Sequence, residues 1–137
     1  MKRTIAGLLF SSLYALPGAA ADVTLAVSNI EAVQGELRWL VFDSAEDYAA
    51  DRNPVIAGRS RVQADAMAVT LHDLPPGNYA VKLFHDANQN GELDTNMVGL
   101  PTEGYGFSNN AGRFGPPDFD AAAVEVKADT RIDVRVR

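Results

Sequence analysis

Apolar and polar positions alternate along most of this chain, with the spacing of strands rather than helices. Val23, Leu25 and Val27 alternate with Thr24 and Ser28, which reads as a half-buried strand. Leu37-Arg38-Trp39-Leu40-Val41-Phe42 is apolar at nearly every position, so this second strand is expected to be covered on both faces. Ala68–His72 puts Val69 and Leu71 on one face. Asn78–His85 puts Tyr79, Val81, Leu83 and His85 on one face and Ala80, Lys82 and Phe84 on the other. Arg131–Arg137 repeats the period with Ile132, Val134 and Val136. Ala123–Lys127 and the polar Arg59–Ala64, the latter as an edge, complete the set. Helical signal is confined to Ser44–Ala50, where Ser44 can act as N-cap and Glu46 and Asp47 occupy the first turn. Asn53-Pro54 then disfavours helix.

The turns agree with this reading. Gln34-Gly35 separates the first two strands. In Leu74-Pro75-Pro76-Gly77 proline fixes one corner, and glycine is expected to take positive φ at the next. Six or seven short strands with this punctuation predict an all-β fold, an antiparallel β-sandwich forming a single domain. One stretch has no sustained period. Gly99–Phe119 holds five glycines, three prolines and the aromatics Tyr105, Phe107, Phe114 and Phe119. A loop of this length is uncommon in a compact domain, and its rings argue for order. It is expected to fold back as a flap over one end of the sandwich, either plugging it or offering rings for stacking. Glu103, Tyr105, Phe107 and Asn109 are its candidate ligand-binding residues, with a small molecule or glycan as the partner.

Between the strand ending at His85 and this flap lies the densest chemistry. Asp86, Asn88 and Asn90 place oxygens at every second position, Gly91 follows, and Asp94 adds a carboxylate. That is the beginning of a calcium loop, with ligands at positions 1, 3 and 5, glycine at 6 and an oxygen at 9. Asp86, Asn88, Asn90 and Asp94 would bind through side chains and Glu92 through its carbonyl. Position 12 is Met97 where an acid is needed, so Asp43, Glu103, Asp118 or Asp120 would have to supply oxygens from elsewhere, and affinity is expected to be weak. The alternative is a metal-free hairpin with a type I′ turn at Asn90-Gly91.

Catalytic signals are sparse. There is no phosphate loop, no HExxH and no cysteine, and Gly106-Phe107-Ser108-Asn109-Asn110 lacks the second glycine of a nucleophile elbow. The expectation is a non-enzymatic binding or interaction module with a structural calcium loop, presenting a surface to a protein or small-molecule partner. A metal-free small-molecule or glycan module using the flap is the alternative, and a hydrolase using His85 the weakest.

Charge and the N-terminus narrow the setting. Lys2 and Arg3 precede an apolar run from Ile5 to Leu16, then Pro17-Gly18 and Ala19-Ala20-Ala21, which reads as a signal peptide over residues 1–21 cleaved before Asp22. Twelve residues of helix span about 18 Å of a roughly 30 Å hydrocarbon core, too short for an anchor. The mature domain, 22–137, is expected in the periplasm or outside the cell. It keeps ten of the twelve basic residues against eighteen acidic ones, a net charge of −8. Nucleic acid is thereby disfavoured as a partner, and no membrane span is expected after cleavage.

Three blocks carry a resemblance. They are Leu74-Pro75-Pro76-Gly77-Asn78-Tyr79-Ala80-Val81, then Phe84 through Asn96, then Gly99 through Asn110. Together with Phe42-Asp43-Ser44 and Gly115-Pro116-Pro117-Asp118-Phe119, they resemble the bacterial exported family known as domain of unknown function 2141. The resemblance implies a small exported sandwich of the prealbumin or Ig-like kind and assigns no activity. The Asp86 loop is similar to those of calcium-binding sandwich modules of surface proteins.

Overall fold

The structure, a computed structural model, describes residues 18–137. Most of the expected signal peptide, residues 1–17, therefore lies outside the described residues. The elements are β1 Ala21–Ser28, β2 Glu36–Phe42, α1 Ala45–Ala50, β3 Ile56–Arg61, β4 Met67–Leu74, β5 Gly77–Asp86, β6 Tyr105–Phe107, α2 Phe119–Ala122, β7 Val124–Val126 and β8 Thr130–Arg135, with one 3-10 turn at Ser108–Asn110. Two sheets face one another. One has the order β4-β1-β8; the other runs β3-β2-β5-β6, with β7 pairing the start of β5 on the side where β6 pairs its middle. The all-β sandwich is as expected, with one departure: β1 and β8 run parallel.

The core follows from the period-two pattern. Val23, Leu25 and Val27 of β1 meet Leu37, Trp39 and Val41 of β2, Val81 and Leu83 of β5, and Ile132 and Val134 of β8 in one buried cluster. Gly106 explains how β6 fits against this core, because an added Cβ would lie 2.6 Å from Val134 Cγ1. Ser44 caps α1 by accepting the Asp47 N–H at 3.2 Å. Two turns differ from expectation. Gly77 is not at positive φ; the left-handed residue is Asp73 (φ 58), beside the β1–β4 bulge. At Asn90-Gly91 the positive φ values belong to Gln89 (57) and Gly91 (83), so a type I′ turn, which needs two consecutive ones, is not formed.

The flap does not plug an end of the sandwich. It adds β6 along the edge of β5 and then crosses the outer face of the five-stranded sheet to α2. Ser108, fully buried, stitches it down by accepting the Val81 N–H at 2.9 Å and donating to Ala122 O at 2.5 Å. Phe119 packs edge-on against Tyr48 at 5.9 Å, whereas Phe114 is exposed. Phe42, Tyr48, Ala80 and Ala122 thus form a second small core outside the sheet, under α1 and α2.

Candidate functional site

That second core covers only half of the outer face of the β3-β2-β5-β6 sheet. The other half is open. Residues directly opposite on adjacent strands share a face, and the register sets two rows side by side. Arg59, Arg38, Phe84 and Tyr105 form one; Ala57, Leu40, Lys82 and Phe107 form the other. Gly91 and Leu93 of the Asp86 loop wall one side, and Asp51 and Pro116 border the trough elsewhere, enclosing about 650 Å³. Leu40, Phe84 and Tyr105 are half-buried and Phe107 is buried, so the floor is apolar and firmly set. Tyr105 and Phe107 meet edge to face at 6.0 Å.

The cations in the trough are held differently from one another. Lys82 Nζ donates to Tyr48 O at 2.7 Å and to Asp51 Oδ1 at 2.6 Å, and lies 4.0 Å from the centre of the Tyr48 ring. Burial, with smaller contributions from Asp51 and Asp118, pushes the Tyr48 phenol up to about 12, and its hydroxyl donates to Pro117 O at 3.0 Å. Arg38 Nε donates to Asp86 Oδ2 at 2.9 Å, and its Nη2 is 3.1 Å from Glu36 Oε2. Arg59 is 3.8 Å from the same Glu36 oxygen, its only ion pair among the described residues.

The Asp86 loop folds as a tight knot beside the trough. Asp86 is fully buried and accepts the Asn90 and Gly91 N–H groups at 3.1 and 2.8 Å in addition to Arg38. Asn88 Oδ1 accepts from Asn90 N and Asn90 Oδ1 from Glu92 N, while the two side-chain amides donate to Asp94, each at 2.6 Å. Of the four distant acids considered for the loop, Glu103 reaches it, accepting the N–H groups of Ala87 and Asp94 at 3.2 Å. Asp118 instead caps α2 and Asp43 lies near Tyr79. Every loop side-chain oxygen named as a ligand is already engaged by an N–H donor. Among the described residues no three acidic or imidazole groups converge as a metal cluster.

The remaining candidates are placed as follows. Tyr105 and Phe107 line the trough, Glu103 braces the loop, and Asn109 donates to Ala121 O and Ala123 O at 3.2 and 2.9 Å. His85 is buried, with Nε2 2.6 Å from Gln34 O, so the ring a hydrolase would need is enclosed. Arg38, Leu40, Arg59, Lys82 and Phe84 escaped the sequence reading of the site. The available signal was the alternate face of Asn78–His85 and the two-sided apolar run Leu37–Phe42.

Fold and site together define a small all-β sandwich with a half-covered outer sheet face, walled by an oxygen-rich loop. The family model described as "Uncharacterized protein conserved in bacteria (DUF2141)" matches residues 25–133. The chain belongs to that family. No curated protein and no solved structure matches it.

Proposed function

We propose that this protein is a ligand-binding module whose binding surface is the open trough on the β3-β2-β5-β6 sheet. One observation carries the reading: α1 and α2 cover half of an apolar sheet face and leave Leu40, Phe84, Tyr105 and Phe107 as the floor of a cavity of about 650 Å³. That volume is in the range of small-molecule sites, about 300–1,000 Å³. Titrating a set of small apolar ring compounds into isotope-labelled protein tests it by NMR. Amide shifts gathered on Arg38–Leu40, Lys82–Phe84 and Tyr105–Phe107 are expected; no saturable shifts there would defeat the reading.

A second reading concerns the loop. We propose weak calcium binding by Asp86, Asn88, Asn90, Asp94 and the Glu92 carbonyl, with Glu103 as the additional acid. Gly91 at φ 83 supports it, as does the absence of the type I′ turn on which the metal-free alternative rests. When bound, the ion would supply a local cross-link. Against tight binding stand the hydrogen bonds that Asp94 accepts from both amides and the Arg38 guanidinium on Asp86. Saturation at about 100 times the dissociation constant would add about 2.7 kcal/mol. A melting midpoint unchanged between millimolar calcium and chelator would remove this reading.

Export with cleavage before Asp22 is likewise proposed. The Asp22 nitrogen is 2.9 Å from Asp129 Oδ1, so a new terminal ammonium would meet a carboxylate. Cleavage would also remove Ala21, the first residue of β1. The intact mass of protein recovered from the periplasm or medium decides the point.

A further inference from the structure

We infer that the trough takes a flat, apolar ring compound bearing an acidic group, with the ring on Phe84 and Tyr105 and the acid at Arg59. This rests on the reading of the trough as a binding site. One cross-strand row carries both halves of the recognition: Arg59 and Arg38 at one end, Phe84 and Tyr105 at the other. Two arginines directly opposite one another repel. Arg38 is already neutralised, held by Asp86 at 2.9 Å and by Glu36 at 3.1 Å. Arg59 is different. Its side chain is 64% exposed, its link to Glu36 is 3.8 Å long, and Glu36 Oε2 makes no hydrogen bond. Its planar fork of donors, suited to bidentate capture of a carboxylate, sulfonate or phosphate, is therefore uncommitted.

The charge distribution points the same way. Three cations line this trough: Asp51 holds Lys82 at 2.6 Å, Asp86 and Glu36 hold Arg38, and Arg59 is the most loosely paired of the three. No asparagine or glutamine lines it. A neutral glycan, whose hydroxyls need acceptors as well as donors, finds mainly donors and rings here. A nucleic acid would need cations well beyond three.

The probes are 8-anilinonaphthalene-1-sulfonate and N-phenyl-1-naphthylamine, which share a ring system and differ by the sulfonate. The intact protein is expected to bind one equivalent of the sulfonated dye, and to bind it more tightly than the neutral dye. Arg59→Gln, at an exposed position of an edge strand, should weaken the sulfonated dye about tenfold, the loss of one charge-assisted contact, and leave the neutral dye unchanged. Ala57→Trp, which fills the trough from an exposed position, should abolish both, with an unaltered melting curve showing that the fold survives. Equal affinity for the two dyes, insensitive to Arg59→Gln but lost in Ala57→Trp, overturns recognition of the acid and leaves the trough as a binding site. Binding that persists in Ala57→Trp, or binding of neither dye, overturns both.

Discussion

The two sheets share one core but treat their outer faces in opposite ways. On β4-β1-β8 the outward positions are small or polar: Thr24, Ala26, Ala68, Thr70, Arg131 and Asp133. On β3-β2-β5-β6 the outward positions include Leu40, Phe42, Lys82, Phe84, Tyr105 and Phe107, all at least half-buried. A sheet with one dry face and one wet face is structurally complete. A sheet that is apolar on both faces needs a second cover, and here the cover stops halfway. The unfinished half is where a ligand would be the missing layer.

Three substitutions probe that contrast. Phe107→Ala empties a buried position on the outer face and is expected to cost about 3 kcal/mol by denaturant melts. A loss below about 1 kcal/mol would make the apolar outer face as dispensable as the wet one. Tyr48→Phe, in the cover itself, should cost about 1 kcal/mol at neutral pH through the lost bond to Pro117. It should also change the alkaline limb. The unfolded phenol titrates near 10 and the folded one at about 12, so the unfolded chain releases its proton first. Stability is therefore intact below pH 10 and falls as pH rises towards 12. Tyr48→Phe should flatten this fall, although Tyr79, raised chiefly by burial, retains part of it. An unaltered limb would show that Tyr48 is not enclosed. Thr70→Val, outward on the wet face, should stay within about 0.5 kcal/mol; a larger change would erase the distinction between the sheets.

Much of this was legible beforehand. The alternation of Val23, Leu25 and Val27, the capping by Ser44 and the two-sided character of Leu37–Phe42 are local properties that the chain states outright. β6 was missed because three residues, with Gly104 before them and Gly106 in their middle, show no period. The parallel β1–β8 pairing was missed because register between distant strands is set by the packing of the whole. The site divides along the same line. Asp86, Asn88, Asn90 and Asp94 converge because they are neighbours in sequence, and so could be named together. Arg38, Arg59 and Phe84 come from three strands, and only the topology sets them in one row.

The parallel pairing bears on the order in which the molecule can assemble. β1 is the middle strand of its sheet, and one of its hydrogen-bonding edges stays vacant until Thr130–Arg135 arrives to fill it. Closure joins Val23 to Thr130 across nearly the whole domain, and contacts so distant in sequence make folding slow. Under the export proposed above, with the N-terminus crossing first, β1 would be delivered early and completed last. Its sheet would close only once almost the whole polypeptide had crossed.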